Sequence, residues 1–229
     1  MNTADFIARW RFSLLLIALI SNILLAPLIS NLESGSTANP LAAQIAFTFL
    51  LVIIVFVVGH HKKVIASYTV LAFIALTLSW INLSNHSETI SILSHGFSFV
   101  TLIVAITLII KETILIEEVS LDTIAGSLCA YLLLGFAFAS IYALIDIVEP
   151  SSFISSIQND SGSISLATSD LDRIYFSFVT LLTIGYGDIV PHSAPAKLTT
   201  IIEGFLGQVY LVVLIARLVG THVSQRSLK

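Results

Sequence analysis

The sequence predicts an all-α membrane protein with six transmembrane helices and one short re-entrant helix that leads into an irregular loop. Of its 229 residues, 56% are hydrophobic and only 10% are charged, and the mean hydropathy is +0.99, whereas a soluble domain carries about 25% charged residues. The charges also fall in short clusters between long uncharged runs, which is typical of a chain that crosses a bilayer several times. A soluble protein with a large core would need a polar surface that this composition does not supply.

Each predicted span is an apolar run close to the ~20 residues that a helix needs to cross the hydrocarbon. In chain order the runs are about 12–29, 41–58, 64–83, 89–110, 124–145 and 198–219. Arginines precede the first run, as in a signal peptide, but its length and the lack of an A-x-A-like site favour a retained span. A further apolar run, 171–182, has 12 residues and would extend only about 18 Å as a helix. It is therefore predicted to enter and leave the membrane by the same face.

Basic residues alternate between the two sides of the predicted membrane. The loops at 30–40, 84–88 and 146–170 contain no Lys or Arg. The other connections and the two ends carry Arg9, Arg11, His60, His61, Lys62, Lys63, Lys111, Arg226 and Lys229. By the positive-inside rule both termini are cytoplasmic and the loop with the short helix is external. We expect a multi-pass protein of a plasma membrane or a bacterial inner membrane.

This topology divides the chain into four parts. Residues 1–110 form a four-helix transmembrane domain, 111–123 a cytoplasmic linker, 124–222 the domain of the last two spans, and 223–229 a short cytoplasmic tail. The linker is an amphipathic connector that transmits motion or simply a solvated helix. The Ser-rich stretch before the short helix lacks periodicity and is predicted to be an exposed external loop. No soluble regulatory domain is expected.

The stretch "TLLTIGYGDIVP", residues 180–191, interrupts the apolar sequence where regular backbone is expected. Non-helical backbone at membrane depth is tolerated only where protein covers it or a water-filled cavity receives it. Gly185 and Gly187 can adopt positive φ, which lets successive carbonyls point the same way, and a row of such oxygens can replace the hydration shell of an alkali cation. The short helix would direct its negative C-terminal end at that cation, and Ser169, Asp170 and Asp172 suit its N-terminus.

"TLLTIGYGD" resembles the selectivity filter of potassium channels, usually written T-V-G-Y-G-D, with Ile184 in place of valine. The resemblance covers residues 124–222, which it identifies as an outer helix, a pore helix, the filter and an inner helix. It implies that K⁺, as the permeant ion, binds to main-chain carbonyls in four stacked sites. The residues that the resemblance assigns to these sites are Thr183 (with its hydroxyl), Ile184, Gly185 and Tyr186.

The same resemblance assigns supporting roles around the filter. Gly187 permits the outer turn, Asp188 holds the filter from behind, and Tyr175 and Phe176 occupy positions where relatives carry bracing aromatics. Val179 stands where some members have a glutamate that bonds the equivalent of Asp188, so that link is expected to be missing. Since each chain supplies one filter segment, the resemblance also implies a homotetramer.

The last span carries three further candidate residues. Glu203 is an ionisable group inside a span; it either tunes conduction or makes a structural hydrogen bond to a neighbouring helix, and the second is favoured. Gly204 and Gly207 follow it and are both candidates for a hinge in this helix. Gly207 lies at the family's hinge position, although small residues for close helix packing would look the same. Arg217 is expected to extend to the cytoplasm.

The first four spans lack the charges of a voltage sensor. Voltage sensing requires about 3–4 gating charges per subunit, yet residues 64–110 contain no Lys or Arg, and Glu88 is the only acid there. We therefore expect a channel of the six-span, one-pore type that is not strongly voltage-dependent.

Other functions are less well supported. Gly185–Asp188 also satisfies the G-x-G-D motif of intramembrane aspartyl proteases, but the partner motifs fail at Asp146 and at "PAK", 195–197. A less selective cation channel and a non-conducting scaffold remain alternatives to potassium conduction. The sequence has no stretch rich in Lys or Arg, so nothing indicates nucleic-acid binding. The lone Cys129 is predicted to be a buried apolar residue. Neither enzymatic activity nor a cofactor is expected.

Overall fold

The computed structural model describes residues 10–32, 40–57, 62–85, 87–115, 120–155 and 169–227. This part of the chain is mainly helical. Its elements are α1 (Arg11–Leu32), α2 (Pro40–Val57), α3 (Lys62–Ser84), α4 (Glu88–Leu115), α5 (Leu121–Val148), β1 (Phe153–Ser155), α6 (Asp170–Leu181), β2 (Ile189–Pro191) and α7 (Ala194–Ser227). Some basic residues used in the topology prediction lie outside the described residues: Arg9, His60, His61 and Lys229.

Within the described residues, four helices are long and apolar enough to cross a bilayer by length and composition. These segments are Val64–Ser84, Glu88–Thr113, Leu121–Val148 and Ala194–Leu214, and shorter apolar segments occur at Arg11–Leu24 and Gln44–Val57. The apolar helices indicate a membrane protein, while the count of six spans stays a prediction.

Helix ends differ from the predicted runs where a charged residue marks the end of an apolar run. α4 continues through Lys111 to Leu115, and α5 already begins at Leu121, so helix covers part of the predicted linker at 111–123. Ser120 caps α5, because its side chain accepts from the Thr123 N–H at 3.1 Å. Backbone hydrogen bonds continue past these charged residues because Lys111 is exposed and because Glu112 and Asp122 have partners on α1, so the apolar runs underestimate the helices.

The first helix is attached to the start of α5. The Asp122 carboxylate accepts from the backbone N–H and the hydroxyl of Ser13, both at 2.8 Å. The backbone N–H groups in the first turn of a helix have no partner within the helix, so the carboxylate satisfies them and also meets the positive end of the α1 dipole. Arg11 in turn forms an ion pair with Glu112 of α4 at 2.8 Å. These contacts fix α1 against α4 and α5.

A small two-stranded sheet, which the sequence did not predict, accompanies the otherwise helical fold. β1 pairs antiparallel with β2, with Phe153 opposite Pro191, Ile154 opposite Val190 and Ser155 opposite Ile189. The Ser-rich loop is therefore not exposed throughout, since Ser152 is 0% and Phe153 is 1% exposed. Phe153 packs edge-on against Tyr142 and Phe176, at ring-centroid distances of 5.2 and 5.3 Å. Burial of one aromatic ring overrides the polar composition around it.

Candidate functional site

The helix that precedes the glycine-rich segment is short and capped at its N-terminus. α6 spans 12 residues, Asp170–Leu181, and at 1.5 Å per residue it extends about 18 Å. Ser169 and Asp172 form a capping box: the Ser169 side chain accepts from the Asp172 N–H at 3.2 Å, and the Asp172 carboxylate accepts from the Ser169 N–H at 2.9 Å. The predicted position and capping of this helix are confirmed.

The chain leaves α6 through a tight turn. The N–H of Leu182 donates to the Phe178 carbonyl, that of Thr183 to the Thr180 carbonyl, and that of Ile184 to the Val179 carbonyl, each at 2.9 Å. The side chain of Val179 is buried. The backbone of α6 therefore fixes the first residues of the glycine-rich segment directly.

Backbone handedness alternates along the segment that follows. Thr183, Gly185 and Gly187 have φ of 56°, 62° and 77°, whereas Ile184 and Tyr186 between them are not in the positive-φ region. The expectation of positive φ at both glycines is confirmed, and positive φ at Thr183 was not anticipated because β-branched residues rarely adopt it. Alternation of this kind turns consecutive peptide groups so that like atoms project to the same side, the arrangement that a row of carbonyl ligands requires.

Within one chain this segment lies open on one side. Ile184 is 48% and Tyr186 is 70% exposed, and a Cβ added at Gly185 or Gly187 would meet no atom within 4 Å. Atoms from outside the chain can therefore approach its main chain closely.

Asp188 ties the far end of the segment to α6. Its Oδ2 accepts from the Tyr175 hydroxyl at 2.6 Å, and its Oδ1 accepts from the N–H of Ile189 at 3.0 Å. The hydrogen bond to the carboxylate raises the pKa of Tyr175 to about 12, because loss of the phenol proton would remove the bond and bring two negative charges together. Val179 has no carboxylate to bond Asp188, and the link between α6 and Asp188 runs through Tyr175 instead.

Phe176, by contrast, packs within an aromatic cluster. Its ring meets those of Tyr142 and Phe153 at centroid distances of 5.2 and 5.3 Å, and neither residue belongs to the segment 183–188. Its predicted role as a brace for that segment stays a prediction.

Three hydroxyl groups behind the segment were not singled out in the sequence. Tyr131 donates to the carbonyl of Leu181, the last residue of α6, at 2.8 Å. Ser177 and Tyr142 both contact the carboxylate of Glu203, Ser177 at 2.5 Å. Glu203 therefore makes the contacts to neighbouring helices that the favoured interpretation expects, while its role stays a prediction. Polar hydroxyls inside apolar runs were the signal for these residues, but their partners are distant in sequence.

The two glycines of α7 differ in their surroundings. A Cβ at Gly207 would lie 2.8 Å from Leu181 Cδ1 and 3.2 Å from the Leu181 oxygen, whereas at Gly204 it would meet nothing within 4 Å. Gly207 therefore allows α7 to pack closely on the end of α6. A hinge at either position stays a prediction, since α7 runs without interruption from Ala194 to Ser227.

Arg217 does not simply extend to solvent. Its guanidinium donates to the carbonyl of Thr113 near the end of α4. Carbonyls in the last turn of a helix lack partners within the helix and carry partial negative charge, so a nearby cation bonds them readily.

A cavity of about 210 Å³ lies elsewhere in the fold, between helices α2–α5 and the start of α6. Its polar lining includes Gln44, Ser79, Asn82, His95 and Arg173, and no residue of the segment 183–188 contributes to it. The cavity is therefore separate from the glycine-rich segment.

Comparison with known proteins concerns the same part of the chain. Residues 126–223, somewhat less than half of the chain, match a family model described as "Ion channel". The segment is similar to ion channels. Two-pore potassium channel 4 of Arabidopsis thaliana is 34% identical over 107 residues, which are 47% of this chain and 36% of that relative. The chain thus spans well under half the length of the curated relative that it matches.

These similarities support a potassium-channel family and point to a non-enzymatic transporter rather than to a protease. The two aspartates of the G-x-G-D hypothesis also have separate donors: Asp146 accepts from Arg173 at 2.8 Å and Asp188 from Tyr175 at 2.6 Å. A protease of that class needs two carboxylates that share a proton, whereas these two carboxylates accept from different donors.

Proposed function

We propose that this chain forms a potassium-selective channel through which K⁺ moves passively down its electrochemical gradient. The ion exchanges its water for the main-chain carbonyls of residues 183–186 and the Thr183 hydroxyl. The observation that carries the proposal is the alternation of φ at Thr183, Gly185 and Gly187 in a segment bonded to α6 at both ends. The T-I-G-Y-G-D sequence and the potassium channel named among the relatives favour K⁺ over other cations.

The proposed assembly is a homotetramer. One segment can offer carbonyls from one side only, and four are needed to surround a dehydrated ion. The exposed faces of the segment and of α7, where Ile201, Phe205 and Val212 are 68%, 66% and 65% exposed, would meet other copies or lipid. In this assembly α5 is the outer helix, α6 the pore helix and α7 the inner helix of each subunit.

The proposed channel spans a plasma membrane or a bacterial inner membrane six times with both termini in the cytoplasm, and it responds weakly to voltage. Each gating charge is worth about 2.3 kcal/mol per 100 mV, and residues 64–110 provide no Lys or Arg. Channels reconstituted in planar bilayers should therefore show a shallow conductance–voltage curve. A steep curve, with a gating charge like that of an Arg-rich sensor, would contradict this.

Purified protein in liposomes tests the central proposal through reversal potentials across K⁺/Na⁺ gradients. We expect permeability to K⁺ far above that to Na⁺. Gly185→Ala should abolish selectivity, because a Cβ at φ +62° costs about 1–2 kcal/mol of left-handed strain per residue, in each copy. Gly96→Ala, at an open position of α4 outside this segment, is the matched control and should conduct normally.

The alternatives give different results in the same assay. Equal K⁺ and Na⁺ permeability would indicate a less selective cation channel. No flux from correctly folded, inserted protein would indicate a scaffold and refute conduction.

A further inference from the structure

Glu203 lies at the junction of α5, α6 and α7 and is 0% exposed. One carboxylate oxygen contacts the hydroxyl of Tyr142 on α5. The other lies 2.5 Å from the hydroxyl of Ser177 on α6. The Ser177 hydroxyl also lies 2.7 Å from the carbonyl oxygen of Gly135 on α5. Three helices are therefore connected through one acidic group.

The number of protons in this cluster identifies the state of Glu203. There are three oxygen–oxygen contacts at hydrogen-bond distance: Tyr142–Glu203, Ser177–Glu203 and Ser177–Gly135. Tyr142 and Ser177 supply one proton each, and a carbonyl oxygen supplies none. If Glu203 were ionised, one contact would hold two acceptors facing each other without a proton. A proton on Glu203 provides the third donor, so that all three contacts become hydrogen bonds.

The surroundings of Glu203 also disfavour a negative charge. No ion pair to Glu203 occurs within the described residues. On α6 the nearest basic side chain in sequence, Arg173, pairs with Asp146 and Asp170 at 2.8 and 2.7 Å; on α7, Lys197 is exposed and Arg217 bonds to α4. The other titratable groups facing it are phenols of α5, Tyr142 and Tyr131. A buried carboxylate without a cationic partner is strongly unfavourable, whereas a neutral acid with its hydrogen bonds made is not.

We infer that Glu203 is a neutral carboxylic acid that donates to Ser177, and that it acts as a positioning residue for the segment 183–188. The Ser177 hydroxyl in turn donates a hydrogen bond to the Gly135 carbonyl, so the inner helix is bonded through the pore helix to the outer helix. Ser177 lies one helical turn before Leu181, the last residue of α6 before the segment. The Leu181 carbonyl accepts from Tyr131 at 2.8 Å. The effect on ion selectivity rests on the proposed channel function; the protonation state does not.

Infrared spectroscopy of the purified protein tests the protonation state without any need for conduction. At neutral pH a glutamate in water is ionised, so the C=O stretching band of a protonated, hydrogen-bonded carboxylic acid is expected to come from Glu203. It should vanish in Glu203→Gln and shift to higher frequency in Ser177→Ala, which removes the acceptor. Absence of the acid band in the unmodified protein, or its survival in Glu203→Gln, overturns the inference. If Glu203→Gln does not fold, an acid band whose frequency is unchanged in Ser177→Ala overturns the inference equally.

The positioning role is tested by comparing two neutral replacements in liposomes. Gln can donate an N–H to Ser177 and accept from Tyr142, as the neutral acid does, whereas Leu of similar size can do neither. Glu203→Gln should keep the K⁺/Na⁺ permeability ratio within about threefold, and Glu203→Leu should lower it about tenfold or more, since the two hydroxyls lose their buried partner. Loss of selectivity in Glu203→Gln equal to that in Glu203→Leu would show that the charged form is needed and overturn the inference. If no variant or parent discriminates K⁺ from Na⁺, the proposed function fails, while the infrared result still stands.

Discussion

Substitution of Gly207 by alanine distinguishes close packing from a hinge. The added methyl would lie 2.8 Å from Leu181 Cδ1 and 3.2 Å from the Leu181 oxygen. The leucine side chain can rotate away, but the carbonyl is held in the last turn of α6 and by the Tyr131 hydroxyl at 2.8 Å. Overpacking of this kind costs about 1–3 kcal/mol, while alanine gains up to about 1 kcal/mol over glycine in a helix. The net expectation is a loss of about 0–2 kcal/mol in the free energy of unfolding.

Gly204→Ala provides a control in the same helix. No atom lies within 4 Å of a Cβ at Gly204, so only the gain in helix propensity applies, up to about 1 kcal/mol. The two variants should therefore differ by about 1–3 kcal/mol in stability, with Gly207→Ala the weaker. Measured in a Leu181→Ala background, which itself loses the burial of a fully buried side chain, Gly207→Ala should cost less by the part that comes from the side-chain contact, and the carbonyl contact should remain.

The assay is thermal unfolding of both purified variants in one detergent, followed by K⁺ flux in liposomes. For a chain of this size we expect a shift in Tm of about 2–4 °C per kcal/mol. A packing role lowers the Tm of Gly207→Ala relative to Gly204→Ala, whereas a hinge role changes open probability at unchanged Tm. Equal stability of the two variants would refute the packing interpretation.

Three further substitutions probe the contacts around the segment. Tyr175→Phe removes the hydroxyl that bonds Asp188 at 2.6 Å and should lower K⁺/Na⁺ selectivity in flux assays. Because the pKa of Tyr175 is raised from 10.0 to about 12, the bond is fully present below about pH 10 and is lost as pH rises through about 12. Unchanged selectivity of Tyr175→Phe at neutral pH would contradict a bracing role. Arg173→Gln removes the 2.8 Å ion pair with Asp146 and should lower the free energy of unfolding by about 1–3 kcal/mol, less than the loss of a fully buried ion pair would. Urea or thermal unfolding measures this, and an unchanged free energy would show that the pair contributes nothing. Phe153→Ala removes one ring from the aromatic cluster and should cost about 3–5 kcal/mol, seen as a large fall in Tm. A loss below about 1 kcal/mol would mean that the small sheet is not needed for stability.

Features that depend on local sequence could be predicted. The apolar runs located the helices, because desolvation of the backbone leaves helix as the main option in lipid. Ser169 and Asp172 marked the start of α6, since a capping box needs only residues three apart, and Gly185 and Gly187 marked positive φ, which glycine adopts without strain.

Contacts across helices could not be predicted in the same way. Tyr142 and Ser177 look like ordinary hydroxyl residues in apolar runs, yet they meet Glu203 over sequence separations of 61 and 26 residues. The strand at Phe153 lies in a Ser-rich stretch, and only the rings of Tyr142 and Phe176 explain its burial. The link that joins Tyr175 to Asp188 depends on the fold that brings the end of the segment back to α6.

By itself, therefore, the sequence determined the membrane environment, the positions of the helices and a segment built for alternating backbone. Each of these follows from burial or conformational preference that a few adjacent residues set by their own chemistry. The tertiary structure alone decided which groups hold that segment: the bond from Tyr175, the approach of α7 at Gly207 and the acid at Glu203. Hydrogen bonds and close packing between helices depend on distances that no pattern along the chain encodes, because the relative positions of the helices result from packing of the whole bundle.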